Sequence, residues 1–299
     1  MTKSLMGKKR RGHLSRPFAI SMIAVFLPAL VMAADEMCPP RAPNVFTALT
    51  VVTHGSANAA GGQLAKSGKA LCWQTTPSLS DQQQLRSDGP GGHVSADYSY
   101  EVSLRNISVS SHLAANGSKK NASAGGEVQV LVEWFDQLTF HSNKVKPIQK
   151  GPDGKPIVTK DSYFSVEVKL SGTPTCQHSG PFQVLGRWAV YADYEQSKAL
   201  EYLIVAGTDP PISFQSKLAQ SGDICGGFLY PWSFDLINDS KVELRGLTSV
   251  VLLGDVNSKQ PSGNASGGVS GMSVCLVHPT QPDDVTVTSL SGTNYWCTN

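Results

Sequence analysis

The sequence predicts an all-β protein: a disulfide-stabilised β-sandwich, jelly-roll-like, with long loops. Three observations predict it. Apolar and polar residues alternate with period two over many short runs. Gly- and Pro-rich turns separate those runs. Six cysteines follow an export leader. Two smaller sandwiches are the alternative architecture.

The leader comes first in the chain. Lys3, Lys8, Lys9, Arg10, Arg11 and Arg16 precede the first acid, Asp35. Residues 18–32 are apolar and broken by Pro28, and Val31-Met32-Ala33 closes the run with a cleavage pattern. This is the layout of a secretory signal peptide over residues 1–33. The pair Arg10-Arg11 is followed by Gly12-His13 rather than an apolar stretch, so the general secretory route is expected. A spanning helix needs about 20 apolar residues. No stable membrane span is therefore expected after cleavage, and the mature chain is expected to be secreted or periplasmic.

Without the leader, 19 basic residues face 23 acidic ones, a net charge of −4 instead of +2. A mildly acidic chain has no electrostatic footprint for nucleic acid. The full chain has 299 residues, 40% apolar and 16% charged, enough apolar material for a core and too little charge for disorder. We expect one sandwich domain over residues 34–299, with a hairpin near 150–160 as the place where two domains would divide.

All six cysteines, Cys38, Cys72, Cys176, Cys225, Cys275 and Cys297, lie beyond the leader. An even count in an exported chain argues for disulfides. Spacing alone leaves the connectivity open; pairing of nearest neighbours is the expectation. Zinc is not expected, because no C-x-x-C pair occurs and Cys275-x-x-His278 has no second pair at finger spacing.

The strands follow in order. Gln63–Leu71 is read as a short helical turn and residues 75–93 as a polar loop. Tyr98, Tyr100, Val102 and Leu104 alternate with polar residues, and the phase slips at Asn106, where a bulge is expected. Residues 115–126 are a polar loop. Val128, Val130, Val132 and Trp134 form the next strand. Gly151-Pro152-Asp153-Gly154 is a hairpin tip. Phe182, Val184, Trp188 and Val190 begin a hairpin that runs to residue 206. Gln215–Gln220 is a second helical turn, residues 257–268 a long loop, and Val285 and Val287 a last strand.

Few residues carry recognisable chemistry. There is no G-x-S-x-G. Gly222-Asp223-Ile224-Cys225-Gly226-Gly227 resembles the nucleophile loop of chymotrypsin-like proteases, with His54 at the end of an apolar run. Asp223 replaces the glycine two before the nucleophile, however, and Cys225 is expected in a bridge. Met272, Cys275 and His278 have the elements of a blue-copper site in the wrong order. Asp255-x-Asn257 starts like a calcium loop and is not completed. No catalytic set, metal or cofactor is expected. Glu133 with Asp136, or Asp193 with Glu195, would be the acid and base if the chain were a polysaccharide hydrolase.

Phe228, Tyr230, Trp232 and Phe234 alternate on one face of a run interrupted by Pro231. Exposed, they would be a platform for apolar sugar faces; buried, they would be core. Asn-x-Ser sequons stand at Asn106, Asn116, Asn121, Asn238 and Asn264, most of them in expected loops or strand ends. The expected function is a non-enzymatic adhesin or binding module for a glycan or other surface ligand. A secreted hydrolase and a structural subunit of a surface assembly are the alternatives.

Overall fold

The computed structural model describes residues 38–118, 123–146, 149–157, 159–194, 220–225, 232–277 and 285–298. The leader, the segment 195–219 and residues 226–231 lie outside that set.

Fifteen strands occur among the described residues: β1 (Thr47–Ala59), β2 (Ala65–Gln74), β3 (Ser78–Gly89), β4 (Gly92–Ser103), β5 (Asn106–Gly117), β6 (Ser123–Ser142), β7 (Gln149–Lys150), β8 (Pro156–Ile157), β9 (Phe164–Ser179), β10 (Phe182–Tyr194), β11 (Gln220–Asp223), β12 (Trp232–Leu236), β13 (Ser240–Asn257), β14 (Ser262–Val277) and β15 (Val285–Ser289). One sheet has the order β11-β10-β13-β6-β1-β2, with β15 continuing beside β6 beyond β1. The second has the order β12-β9-β14-β5-β4-β3. All pairings within both sheets are antiparallel.

Successive strands change sheet at β2–β3, β5–β6, β6–β9 (with the β7–β8 hairpin between), β9–β10, β11–β12, β12–β13, β13–β14 and β14–β15. Strands from before and after the β7–β8 hairpin interleave in both sheets. β13 lies against β6, and β14 lies between β5 and β9.

Alternation explains the core. On β6 the side chains of Val128, Val130, Val132, Trp134, Leu138 and Phe140 point one way and are fully buried. They meet inward residues of the other sheet, including Val94, Tyr98, Ile107, Val109, Leu113, Met272 and Val274, in one apolar cluster. Fully burying one such side chain contributes about 1.5–3 kcal/mol. Gly246 stands opposite Trp134 across the β6–β13 ladder. A Cβ there would lie 2.5 Å from the indole Nε1, so glycine leaves the room the ring occupies.

A smaller cluster lies on the outer side of the seven-stranded sheet, where Cys38, Val52, Leu131 and Leu247 pack with Cys72, Trp73 and Tyr191. The Trp73 indole donates to the Pro39 carbonyl at 2.8 Å, and its ring meets Phe135 edge-on. The Arg41 guanidinium lies over the same Phe135 ring at 4.3 Å and pairs with Glu243 at 2.8 Å.

The cysteines pair as nearest neighbours: Cys38 with Cys72, Cys176 with Cys225, and Cys275 with Cys297. Each bridge contributes about 2–4 kcal/mol, chiefly by restricting the unfolded chain. The first ties the N-terminal segment to the edge strand β2, and the third ties the C-terminal tail to β14. Three such bridges fit an oxidising compartment.

Several expectations are corrected. The phase slip at Asn106 is a two-residue hairpin turn, Leu104-Arg105, with Arg105 at φ 63°. A reversal of the chain changes which residues face inward just as a bulge does, so the pattern alone did not separate them. The stretch 63–71 is mostly strand β2, paired along β1, rather than helix. The expected loop 75–93 contains β3, and β14 already starts at Ser262 inside the expected loop 257–268. Both are strands whose outward side is polar. In β14 the glycines serve close packing, since a Cβ on Gly268 would collide with the Val109 backbone carbonyl. Most of the described part of the expected loop 115–126 is strand, since β5 runs to Gly117 and β6 starts at Ser123. The tip at 151–154 forms as expected, with Gly154 at φ 79°. The proposed partner strand around 200–206 and the turn Gln215–Gln220, apart from Gln220 in β11, lie outside the described residues.

Candidate functional site

The most distinctive surface is the outer face of the six-stranded sheet. Register places its side chains in ranks that cross the strands. Gln84, Asp97, His112, Ser266 and Gln177 form one rank over β3, β4, β5, β14 and β9. Gln82, Ser99, Ser110, Gly268 and Thr175 form the next, and Arg86, Ser95, Ala114, Asn264 and Ser179 the one on its other side. Ser80, Glu101 and Ser108 continue the array at one end; Asp88, His93, Asn116 and Ser262 close the other. No Phe, Tyr or Trp stands in these ranks. From Ser80 to Asp88 the array runs roughly 27 Å along the strands.

Three shallow depressions lie on this face. One of about 480 Å³ lies by Ser80, Ser99, Glu101, Ser110 and Ser270. One of about 170 Å³ lies by Gln82, Gln84, Asp97 and His112. One of about 400 Å³ lies by Arg86, His93, Ser95, Asn116 and Asn264. The first is bordered by a bulge in β14 at Ser270-Gly271, where the Gly271 N–H donates to Ser108 Oγ at 3.0 Å.

Charges on the face are mostly matched. Arg86 pairs with Asp97 and His93 bonds to Asp88. At the edge, on the inward side of β3, Lys69 from the edge strand β2 holds Asp81 at 3.2 Å. The Lys69 hydrogen bond, with the Gln82 N–H, holds the Asp81 carboxyl below its ordinary range, and the same contact raises Lys69. His112 Nδ1 lies 2.9 Å from Ser266 Oγ. The side chains of Gln82, Gln84, Ser95, Ser99, Ser110 and Gln177 bond to no other described residue. Each carries both donors and acceptors.

The sites expected from the sequence fare differently. Phe228 and Tyr230 lie outside the described residues. Trp232 and Phe234 belong to β12, opposite Val168 and Val166, which are fully buried; the side chains of the two aromatic residues lie outside the description. Glu133 and Asp136 are not brought together. Glu133 points outward and pairs with Arg245, while Asp136 points into the core, where Thr47, Ser291 and Tyr295 bond to it. An acid and a base across one cleft cannot be built from opposite faces of a strand. The side chain of Asp193 and all of Glu195 lie outside the described residues. Cys225 is bridged, which removes it as a nucleophile. His54 is an exposed residue of β1. Cys275 is bridged too, so it is no copper ligand. Asn257 instead caps a turn, accepting from the N–H groups of Lys259 and Gln260. No group of three or more metal-ligating side chains occurs among the described residues. No helix among them is long and apolar enough to cross a membrane.

Sequence reasoning missed the polar face. A trace was present, since every second residue of Ser80–Arg86, Ser95–Ser99 and Ser108–His112 is polar. The chain matches no protein-family model, no curated protein and no solved structure.

Proposed function

We infer that this is an exported, non-enzymatic binding module, a single jelly-roll-like β-sandwich over residues 34–299. It takes an uncharged glycan chain on the outer face of its six-stranded sheet. The leader and the three bridges support export. The interleaving of early and late strands supports one domain.

The observation that carries the ligand class is the uncharged set Gln82, Gln84, Ser95, Ser99, Ser110 and Gln177, whose side chains bond to no other described residue. Sugar hydroxyls both donate and accept, and so do these groups. Within the ranks from Ser80 to Asp88, Arg86 and His93 are already engaged by Asp97 and Asp88 and His112 lies against Ser266, so this stretch of the face offers little to an anionic polymer. Its length suits several sugar units laid along the strands. Orientation would come from hydrogen bonds, many of them water-mediated, rather than from aromatic stacking.

A glycan array with the disulfide-intact protein tests this reading. Neutral chains are expected to bind and uronates to bind far less. The triple variant Gln84→Ala, Ser99→Ala, Gln177→Ala is expected to lose about tenfold or more in affinity with its circular dichroism unchanged. Binding that survives the triple variant but vanishes with Trp232→Ala would move the site to the aromatic stripe of β12. Absence of any glycan binding would end the proposal.

A further inference from the structure

Among the described residues, β3 ends the six-stranded sheet, with β4 on one side and no strand on the other. Its ladder to β4 runs without a register shift from Ser78 to Gly89. It carries no lysine, proline or bulge, the usual devices that blunt an edge. The β2 edge, by contrast, carries Lys66 and Lys69. The one charge that β3 turns inward, Asp81, is matched by Lys69 at 3.2 Å.

Two tight hairpins fix which backbone groups of β3 point away from its sheet. The residues that flank a two-residue turn exchange backbone hydrogen bonds. Pro90-Gly91 and Leu104-Arg105 are such turns, flanked by the pairs Gly89–Gly92 and Ser103–Asn106. Bonded pairs recur at every second residue, so the odd-numbered residues of β3 bond to β4 and the odd-numbered residues of β4 bond to β5. The N–H and C=O groups of the even-numbered residues of β3 therefore face out from the edge. Gln82 fits this assignment, since its N–H is taken at 2.8 Å by Asp81 Oδ1 rather than by β4. The ends of the strand are covered. The Thr76 hydroxyl donates to the Ser78 carbonyl at 3.2 Å, and the Gly62 backbone leaves no room for a Cβ beside the Asp88 carbonyl. The open stretch runs from Ser80 to Arg86.

That stretch is complementary to itself. Gln82, Gln83 and Gln84 stand at its centre. Two β3 strands set antiparallel about a two-fold axis at Gln83 bring Gln83 against the partner's Gln83. Gln82 then meets the partner's Gln84, Ser80 the partner's Arg86, and Asp81 the partner's Leu85. A glutamine amide both donates and accepts, so like amides satisfy each other. No like charges stand opposite one another. A slip of one residue would set inward side chains against outward ones. A slip of two would set Gln83 against Asp81 or Leu85 and cost its amide partner.

We propose that this edge pairs with a second copy of the chain, β3 against β3, joining two six-stranded sheets into one. The Gln82 N–H then exchanges Asp81 for the carbonyl of the partner's Gln84. A two-fold contact of this kind closes at two chains. One strand pair buries less than the roughly 1,600 Å² of a standard interface, so the dimer forms and separates with concentration. The pairing needs no glycan and is independent of the reading above.

Sedimentation equilibrium of the disulfide-intact protein tests it. The mass is expected to rise with concentration from one chain towards two. Gln83→Lys and Gln83→Glu each place like charges on the axis and should weaken association about tenfold or more. An equal mixture of the two variants should associate at least as tightly as the parent. Circular dichroism should stay that of the parent, because the Gln83 side chain bonds to no other described residue. A mass fixed at one chain, a mass that climbs past two, parental association in both single variants, or no association in their mixture would overturn the proposal.

Discussion

Glu133 and Asp136 sit three residues apart on β6 and serve opposite faces of the same sheet. Glu133 lies outside, beside the Leu131–Leu247 cluster, paired with Arg245, whose guanidinium lies 5.3 Å from the centre of the Tyr191 ring. Asp136 lies inside, where it fastens the C-terminal tail to the sheet through Ser291 and Tyr295. Burial pushes the Tyr295 phenol well above its ordinary value, and the adjacent Asp136 charge pushes it further.

Asp136→Asn places an N–H₂ donor among hydroxyl and N–H donors. The variant is expected to lose about 2–3 kcal/mol of stability. Denaturant unfolding with tail exchange followed by NMR checks this, and an unchanged midpoint would mean that the carboxylate is not the fastening.

Removing the Cys275–Cys297 bridge as a double serine variant should cost about 2–4 kcal/mol. The loss should appear first as faster amide exchange over residues 291–297, because the tail's other ties are hydrogen bonds gathered at Asp136, Arg105 and Leu276. Uniform acceleration across the whole sheet would argue against a local clasp.

Gly246→Ala drives a methyl group into the Trp134 indole. Overpacking of this kind costs about 1–3 kcal/mol. Near-ultraviolet circular dichroism should change with the ring, whereas Gly154→Ala in the exposed hairpin should leave that spectrum alone.

His141 is held above its ordinary pKa by its hydrogen bond to Asp239, with Asn143 adding to the shift. Protonated His141 therefore belongs to the folded state more than to the unfolded one. Its stabilising effect is fully present below the unfolded histidine's pKa and is lost as pH rises through the raised folded value. A proton NMR titration should place the His141 midpoint above that of a free histidine, and Asp239→Asn should bring it down. An unshifted midpoint in the parent protein would remove the effect.

Residue order alone determined the all-β class, the core strand around Val128–Trp134, the hairpin tip at Gly151–Gly154 and the bridging of all six cysteines. These are local or compositional features. An apolar side chain at every second position marks a strand because one face must leave water, and cysteines close together along an exported chain tend to find each other. Tertiary structure alone decided the rest. β3 carries Asp81, Gln83 and Ser87 at inward positions along a sheet edge, so its alternation lacked the contrast that burial writes into a sequence. Gly267 and Gly268 belong to a closely packed strand, where the side chains of Val184, Val250 and Leu252 close on Gly267 and the Val109 backbone closes on Gly268. The polar face joins Gln84 to Ser266 and Gln177 across five strands. Every one of those residues reads singly as a wet surface position, and only the registers of separate ladders align them into one polar surface.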